Sequence, residues 1–109
     1  MKRRNYEISS GNVFADLGLD APEEAFAKAE LTAKISAVIE AKGLTQAAAA
    51  KVLGIDQPKV SALVRGKLSG FSTDRLIRFL NALGQDVEIV VKDRRPRSRG
   101  PGHLQVVMS

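Results

Sequence analysis

The sequence contains no cysteine and no tryptophan, and it has only one histidine and one tyrosine among its 109 residues. Without cysteine, disulfide frameworks, zinc–thiolate sites, thiol nucleophiles and iron–sulfur clusters are excluded together. The single histidine, His103, lies in a Gly/Pro-rich stretch near the C-terminus, where we expect a solvated side chain. Paired carboxylates, a glycine-rich phosphate loop and a nucleophile–base pair are also missing at usable spacing. We therefore expect no catalytic residues, no metal site, no cofactor and no enzymatic activity.

Long hydrophobic runs are absent too. No apolar stretch approaches the roughly 18 residues that span a bilayer, and the opening Met-Lys-Arg-Arg-Asn-Tyr-Glu is not followed by the apolar core of a secretory signal. We expect a cytoplasmic protein that does not contact a membrane. The remaining composition, with 44% hydrophobic and 27% charged residues, is typical of one small globular domain.

Charge is unevenly distributed along a chain whose net charge is +5. Residues 5–42 are net −4, residues 43–81 are net +4, and residues 92–109 are again net +4. The first basic block predicts a middle region that faces a polyanion, and the second predicts a basic tail. The alternative is a surface that is charged only for solubility. We expect residues 93–109, which Pro and Gly interrupt, to be a disordered tail.

Capping residues and glycines divide the middle of the chain into four predicted helices. Each predicted helix begins after an Asp, Thr or Ser whose side chain can accept a hydrogen bond from a first-turn amide, and a glycine follows each helix closely. The predicted helices and their caps are residues 21–42 after Asp20, 46–53 after Thr45, 57–65 after Asp56, and 73–83 after Ser72.

The strongest β signal follows the last helix, where the valine-rich residues 87–91 predict a short strand. A lone strand is an exposed edge that is costly unless another strand covers it. Two pairings are open, namely a hairpin with residues 104–108 or a ladder with the same strand of a second copy. We favour the ladder, in which Val87, Ile89 and Val91 are the dimer residues.

The second and third predicted helices form the most informative unit. Two short helices that meet at a steep angle need a small residue where they approach each other, a turn residue that accepts positive φ, and apolar residues on the inner side of the second helix. Ala50, Gly54, Val60 and Leu63 supply these types at the fifth, ninth, fifteenth and eighteenth positions, counted from Gln46. This spacing resembles the helix-turn-helix of lambdoid phage repressors, the XRE or Cro type. The resemblance implies a mainly α fold, a small lambda-repressor-like bundle of four or more helices, to which we add the short C-terminal dimerising β-strand.

The third predicted helix carries residue types suited to the major groove of double-stranded DNA. Gln57 can read adenine through two hydrogen bonds, and Gln46 matches the partner glutamine that grips phosphate in the phage repressors. We expect the remaining contacts to divide into base contacts by Pro58, Lys59, Ser61 and Ala62, and backbone contacts by Gln46, Arg65 and Lys67. One departure is Ala48, which stands where family members often carry the glutamate of a capping box. A unit of this size buries little surface alone, so we expect a homodimer on a palindromic operator.

The flanking stretches 11–19 and 80–89 make residues 11–92 look like the HigA-like antitoxins of type II toxin–antitoxin systems. That resemblance implies a sequence-specific repressor of its own promoter that also neutralises a RelE/HigB-like toxin. Residues 21–92 are then the DNA-binding domain and residues 1–20 a segment that binds a partner. Our candidates for toxin contact are Tyr6, Ile8, Val13, Phe14 and Leu17, although these side chains can also pack on the first helix of their own domain.

Two other functions fit the same sequence. A stand-alone phage-like XRE regulator would bind DNA without having a toxin partner. An interaction module that kept the helix-turn-helix scaffold but lost DNA binding would not depend on Gln57 or Lys59.

Overall fold

The computed structural model describes residues 21–93, 100 and 102–109. Within these residues the chain forms four helices, which are α1 (Ala21–Ala41), α2 (Gln46–Leu53), α3 (Gln57–Val64) and α4 (Thr73–Ala82). The four predicted helices and the mainly helical fold are confirmed. The predicted last residues Lys42, Arg65 and Leu83 lie just outside their helices, and Arg65 and Leu83 are C-caps. The predicted cap Asp20 lies outside the described residues.

The core lies where α1 packs against α3 and α4, and α2 closes it by packing against the same two helices. Its best-buried side chains come from three helices: Ile35 of α1, Val60 and Leu63 of α3, and Leu76 of α4 are all fully enclosed. Since α1 contributes only its inner side to this core, its opposite side faces away from α3 and α4. Among the described helices, none is both long and apolar enough to cross a membrane.

Three of the helices begin with a side-chain N-cap, which fixes the first residue of each helix. Thr45 Oγ1 accepts a hydrogen bond from the Ala48 amide at 3.0 Å, and Asp56 Oδ1 accepts one from the Lys59 amide at 3.0 Å. Ser72 Oγ accepts one from the Arg75 amide at 3.1 Å. Each contact satisfies an amide that has no partner inside its own helix.

The predicted strand over residues 87–91 is not formed in the single chain. Among the described residues, none of the backbone hydrogen bonds outside the helices involves residues 86–93 or 102–109, so the alternative hairpin with residues 104–108 is not formed either. A strand exists only through its ladder, and residues 87–91 have no backbone partner in the part of the chain that the structure describes. Val87 packs against the core instead, while Ile89 and Val91 are 78% and 91% exposed.

The C-terminal residues return to the start of α1. His103 Nδ1 lies 3.1 Å from Glu23 Oε2, and the imidazole remains 74% exposed. Three residues later, Val106 packs against the core. The predicted domain boundary at residue 92 stays a prediction, and these contacts show that residues beyond it touch the domain.

Candidate nucleic-acid interface

The turn between α2 and α3 brings the two short helices together at a fixed angle. Gly54 has φ 73°, in the left-handed region that glycine adopts without a steric penalty. Its amide and the Ile55 amide both donate to the Ala50 carbonyl, at 2.9 and 3.1 Å, so the turn closes the end of α2. Asp56 then caps α3. The turn therefore requires glycine at position 54 for its positive φ and uses Asp56 as the N-cap of α3.

The inner side of this unit anchors α3. Val60 and Leu63 are completely buried, and Val64 is half-buried against the same core. Sequence reasoning assigned the close-approach position in α2 to Ala50, which is half-buried and packs against the core. Ala49, which that reasoning missed, is the fully buried alanine of α2. In a run of four alanines no signal separates one position from its neighbour, because any of them could face inward.

The outer side of α3 presents the side chains that sequence reasoning assigned to base contacts. Gln57, Pro58 and Lys59 at its N-terminal end are exposed, and Ser61 and Ala62 one turn later are half-buried. Burial of Val60 and Leu63 forces this arrangement, because residues three apart share one helix face and those between them point elsewhere. A helix that projects its first residues in this way can enter a major groove end-first.

Cationic side chains lie at the N-terminal end of α3 and just after its C-terminal end. Lys59, Arg65 and Lys67 are exposed, and none of them belongs to an ion pair within the described part of the chain. Gln46, the first residue of α2, is exposed as well. Since no carboxylate among the described residues pairs with these three cations, they can contact phosphate oxygens. Asp56 carries a negative charge at the same end of α3, where its carboxylate accepts the Lys59 amide hydrogen bond.

Two arginines of α4, Arg75 and Arg78, have different environments. Arg78 is 74% exposed and forms an ion pair with Asp74 at 3.4 Å. The Arg75 guanidinium instead lies 5.6 Å from the ring centre of Phe71 and 5.3 Å from that of Phe79. The two rings meet edge to face, so Arg75 is held by cation–π contacts at the border of the core.

The other predicted site residues are not brought to this surface or lie outside the described residues. Val87 packs against the core, and Ile89 and Val91 are exposed beyond α4. The five predicted partner contacts in residues 1–20 lie outside the described residues: Tyr6, Ile8, Val13, Phe14 and Leu17. Across the described ranges, no three histidine or carboxylate side chains gather as a metal site would require.

Comparison with known proteins agrees with this geometry. Residues 13–92 match a family model described as a helix-turn-helix domain. A solved chain described as an XRE family transcriptional regulator is 51% identical to this one and superposes with a TM-score of 0.75. The match covers 83% of this chain and 100% of the solved one. This chain belongs to the XRE family of helix-turn-helix proteins.

Membership in the XRE family confirms the helix-turn-helix prediction and points to a DNA-binding transcriptional regulator that is not an enzyme. No curated protein matches this sequence significantly. The resemblance to HigA-like antitoxins stays a prediction.

Proposed function

We propose that this XRE-family chain is a sequence-specific repressor that binds a palindromic operator as a homodimer and also acts as the antitoxin of a toxin–antitoxin pair. The observation that carries the DNA-binding part is the N-terminal end of α3. There Gln57, Pro58 and Lys59 are exposed above a fully buried Val60. A rigidly anchored helix that projects such side chains is what base recognition in the major groove requires.

Each outward-facing side chain of α3 has a role that follows from its chemistry. The Gln57 amide can donate to and accept from adenine, Ser61 can hydrogen-bond either base type, and Lys59 can reach guanine or a phosphate. Pro58 and Ala62 offer apolar contact to a thymine methyl group.

The backbone contacts come from three residues beside α3. Gln46, Arg65 and Lys67 bind phosphates and set the register without reading sequence. The two cations among them make affinity depend on salt, because each phosphate contact releases counterions.

The test is fluorescence anisotropy with DNA from upstream of the protein's own gene and with a scrambled control, each across a salt series. Gln57→Ala should weaken binding to the upstream DNA by about 1–3 kcal/mol, while binding to scrambled DNA hardly changes. Lys67→Ala should weaken both complexes and lower the salt slope by about 1. Gln105→Ala, at an exposed glutamine outside the interface, is the matched control. Equal, weak, salt-sensitive binding of wild type to both DNAs would refute sequence-specific repression.

The homodimer is supported by the exposed apolar side chains beyond α4. Ile89, Val90 and Val91 are 78%, 65% and 91% exposed, and their backbone forms no ladder with the other residues that the structure describes. A second copy can cover these side chains and pair with this backbone. Ile89→Asp should then yield a monomer in sedimentation velocity and reduce affinity for a palindrome more than for one half-site. A wild-type monomer at micromolar concentration would contradict the dimer.

The antitoxin role is supported by the resemblance of residues 11–92 to HigA-like antitoxins, with residues 1–20 as the proposed partner segment. Its test is co-purification of the chain with the product of the neighbouring gene. Loss of the complex on deletion of residues 1–20 is the expected result. If wild type binds its operator but the neighbouring product does not bind, the chain is a stand-alone XRE regulator.

A further inference from the structure

We infer that the side of α1 that faces away from the core is a docking surface for a basic protein partner, and that it lies apart from the DNA interface. This outer face consists of Phe26, Ala29, Ala33 and Ala37, with Glu30 and Glu40 at its edges. The inference rests on the proposed antitoxin role, because that role supplies the protein partner.

The position of these residues follows from the core. With about 100° of rotation per residue, Leu31, Ile35 and Val38 cluster on the inner side, where all three are buried. Phe26, Ala33 and Ala37 fall on the opposite side. The solvent side of a surface helix normally carries charged and polar residues, whereas this one has an apolar centre.

Helix propensity does not explain the exposed Phe26 at this apolar centre. Single exposed alanines are explained by helix propensity alone, but the Phe26 ring is 64% exposed beside three exposed alanines. Small side chains let a partner approach the helix closely, and an aromatic ring next to them can fill a pocket on that partner. An aromatic anchor beside a flat surface favours contact with a protein.

Charge identifies the kind of partner. α1 carries four glutamates against two lysines, while residues 43–81 carry six basic residues against two acidic ones. Glu30 and Glu40 flank the apolar centre, and neither belongs to an ion pair among the described residues. Lys34, one turn after Glu30, is half-buried and forms no ion pair among the described residues. Such a surface repels nucleic acid and attracts a basic protein.

The two interfaces face different directions. α1 packs against α3 and α4 through its inner side, so a partner on the outer face does not cover the exposed residues of α3. We therefore expect this chain to hold DNA and its protein partner at the same time.

The experiment uses the full chain and, as probe, the purified product of the neighbouring gene. Ala33→Arg puts a long cationic side chain at the centre of the outer face and keeps a good helix former there. Ala82→Arg makes the same change at an exposed alanine of α4 and is the matched control. In calorimetric titration, Ala33→Arg should weaken the complex at least about tenfold and Ala82→Arg hardly at all. Glu40→Lys should slow association, and this effect should fade as salt is raised.

Operator binding by each variant, and by the preformed complex, is measured in parallel. Unchanged operator affinity of Ala33→Arg and a ternary complex on DNA support the inference. If the probe binds wild type and Ala33→Arg equally well, the docking surface is refuted while the antitoxin role stands. If the probe does not bind wild type at all, the antitoxin role fails and the inference fails with it. A change in oligomeric state or a large loss of thermal stability in Ala33→Arg alone would also refute the inference, because the face would then be covered by a second copy or by the chain itself.

Discussion

Gly54→Ala isolates the conformational cost of the turn that joins α2 to α3. Gly54 has φ 73°, and a Cβ built there meets nothing within 4 Å. The substitution therefore adds no steric overlap with neighbouring side chains. It costs about 1–2 kcal/mol for placing an L-residue in the left-handed region, offset by about 0.4–1 kcal/mol because alanine reduces the entropy of the unfolded chain.

The expected net loss is about 1 kcal/mol, which lowers the melting temperature of a domain of this size by about 4–8 °C. Gly70→Ala is the matched control, because Gly70 lies outside the left-handed region and its Cβ would also meet nothing within 4 Å. Both variants change the unfolded chain alike, so the difference between their unfolding free energies is the left-handed cost alone, about 1–2 kcal/mol. Gly54→Asn should recover part of that cost, since asparagine tolerates this conformation.

Urea denaturation followed by circular dichroism measures all three variants. Operator affinity of Gly54→Ala well below its melting temperature should equal that of wild type, because the added methyl group touches nothing. If Gly54→Ala and Gly70→Ala unfold at the same urea concentration, the turn does not depend on positive φ and the explanation of the motif's glycine is wrong.

Four further substitutions test other parts of the structure. Leu63→Ala, at a completely buried side chain, should lower the unfolding free energy by about 2–5 kcal/mol in urea denaturation; a loss below 1 kcal/mol would contradict the anchoring of α3. Asp56→Ala should lower the unfolding free energy by about 0.5–2 kcal/mol because the N-cap of α3 is lost. The same substitution should strengthen operator binding, measured by anisotropy, because it removes a negative charge from the DNA-facing end of α3. Weaker binding at a temperature where the variant is folded would refute this. Arg75→Ala should destabilise by about 0.5–2 kcal/mol and Arg78→Ala by at most about 1 kcal/mol, and the reverse order would contradict the cation–π assignment.

Local chemistry explains why the four helices were predictable. Thr45, Asp56 and Ser72 each accept the amide hydrogen bond that their residue type and position predict, and glycine with positive φ follows each helix. Caps and turns act over three or four residues, so sequence neighbours are enough to specify them.

The burial pattern of α3 was predictable for a similar reason. Val60 and Leu63 are the apolar residues of a short helix with helical spacing, and both are completely buried. The exposure of Gln57 and Lys59 then follows from the geometry of the helix. Their contacts with DNA stay a prediction.

Contacts between distant parts of the chain were not predictable. Arg75 reads as a surface arginine, but the packing of α4 puts its guanidinium over two phenylalanine rings. Residues 87–91 have strong β propensity, yet they form no ladder with the other described residues, and of these five only Val87 packs against the core. The contact of His103 with Glu23 joins residues 80 positions apart, and no local sequence pattern predicts it.

Local sequence specifies the bounds of the helices to within one residue, and it specifies which side of α3 is apolar. Backbone capping, the conformational freedom of glycine and helical periodicity all operate within a few residues. Local sequence does not specify that Ala49 is the fully buried alanine of its run, that Arg75 is held by aromatic rings, or that α1 leaves Phe26 and a row of alanines exposed. These outcomes depend on which helix faces which. Packing settles that choice through the combined burial of many side chains, and no short stretch of sequence contains that information.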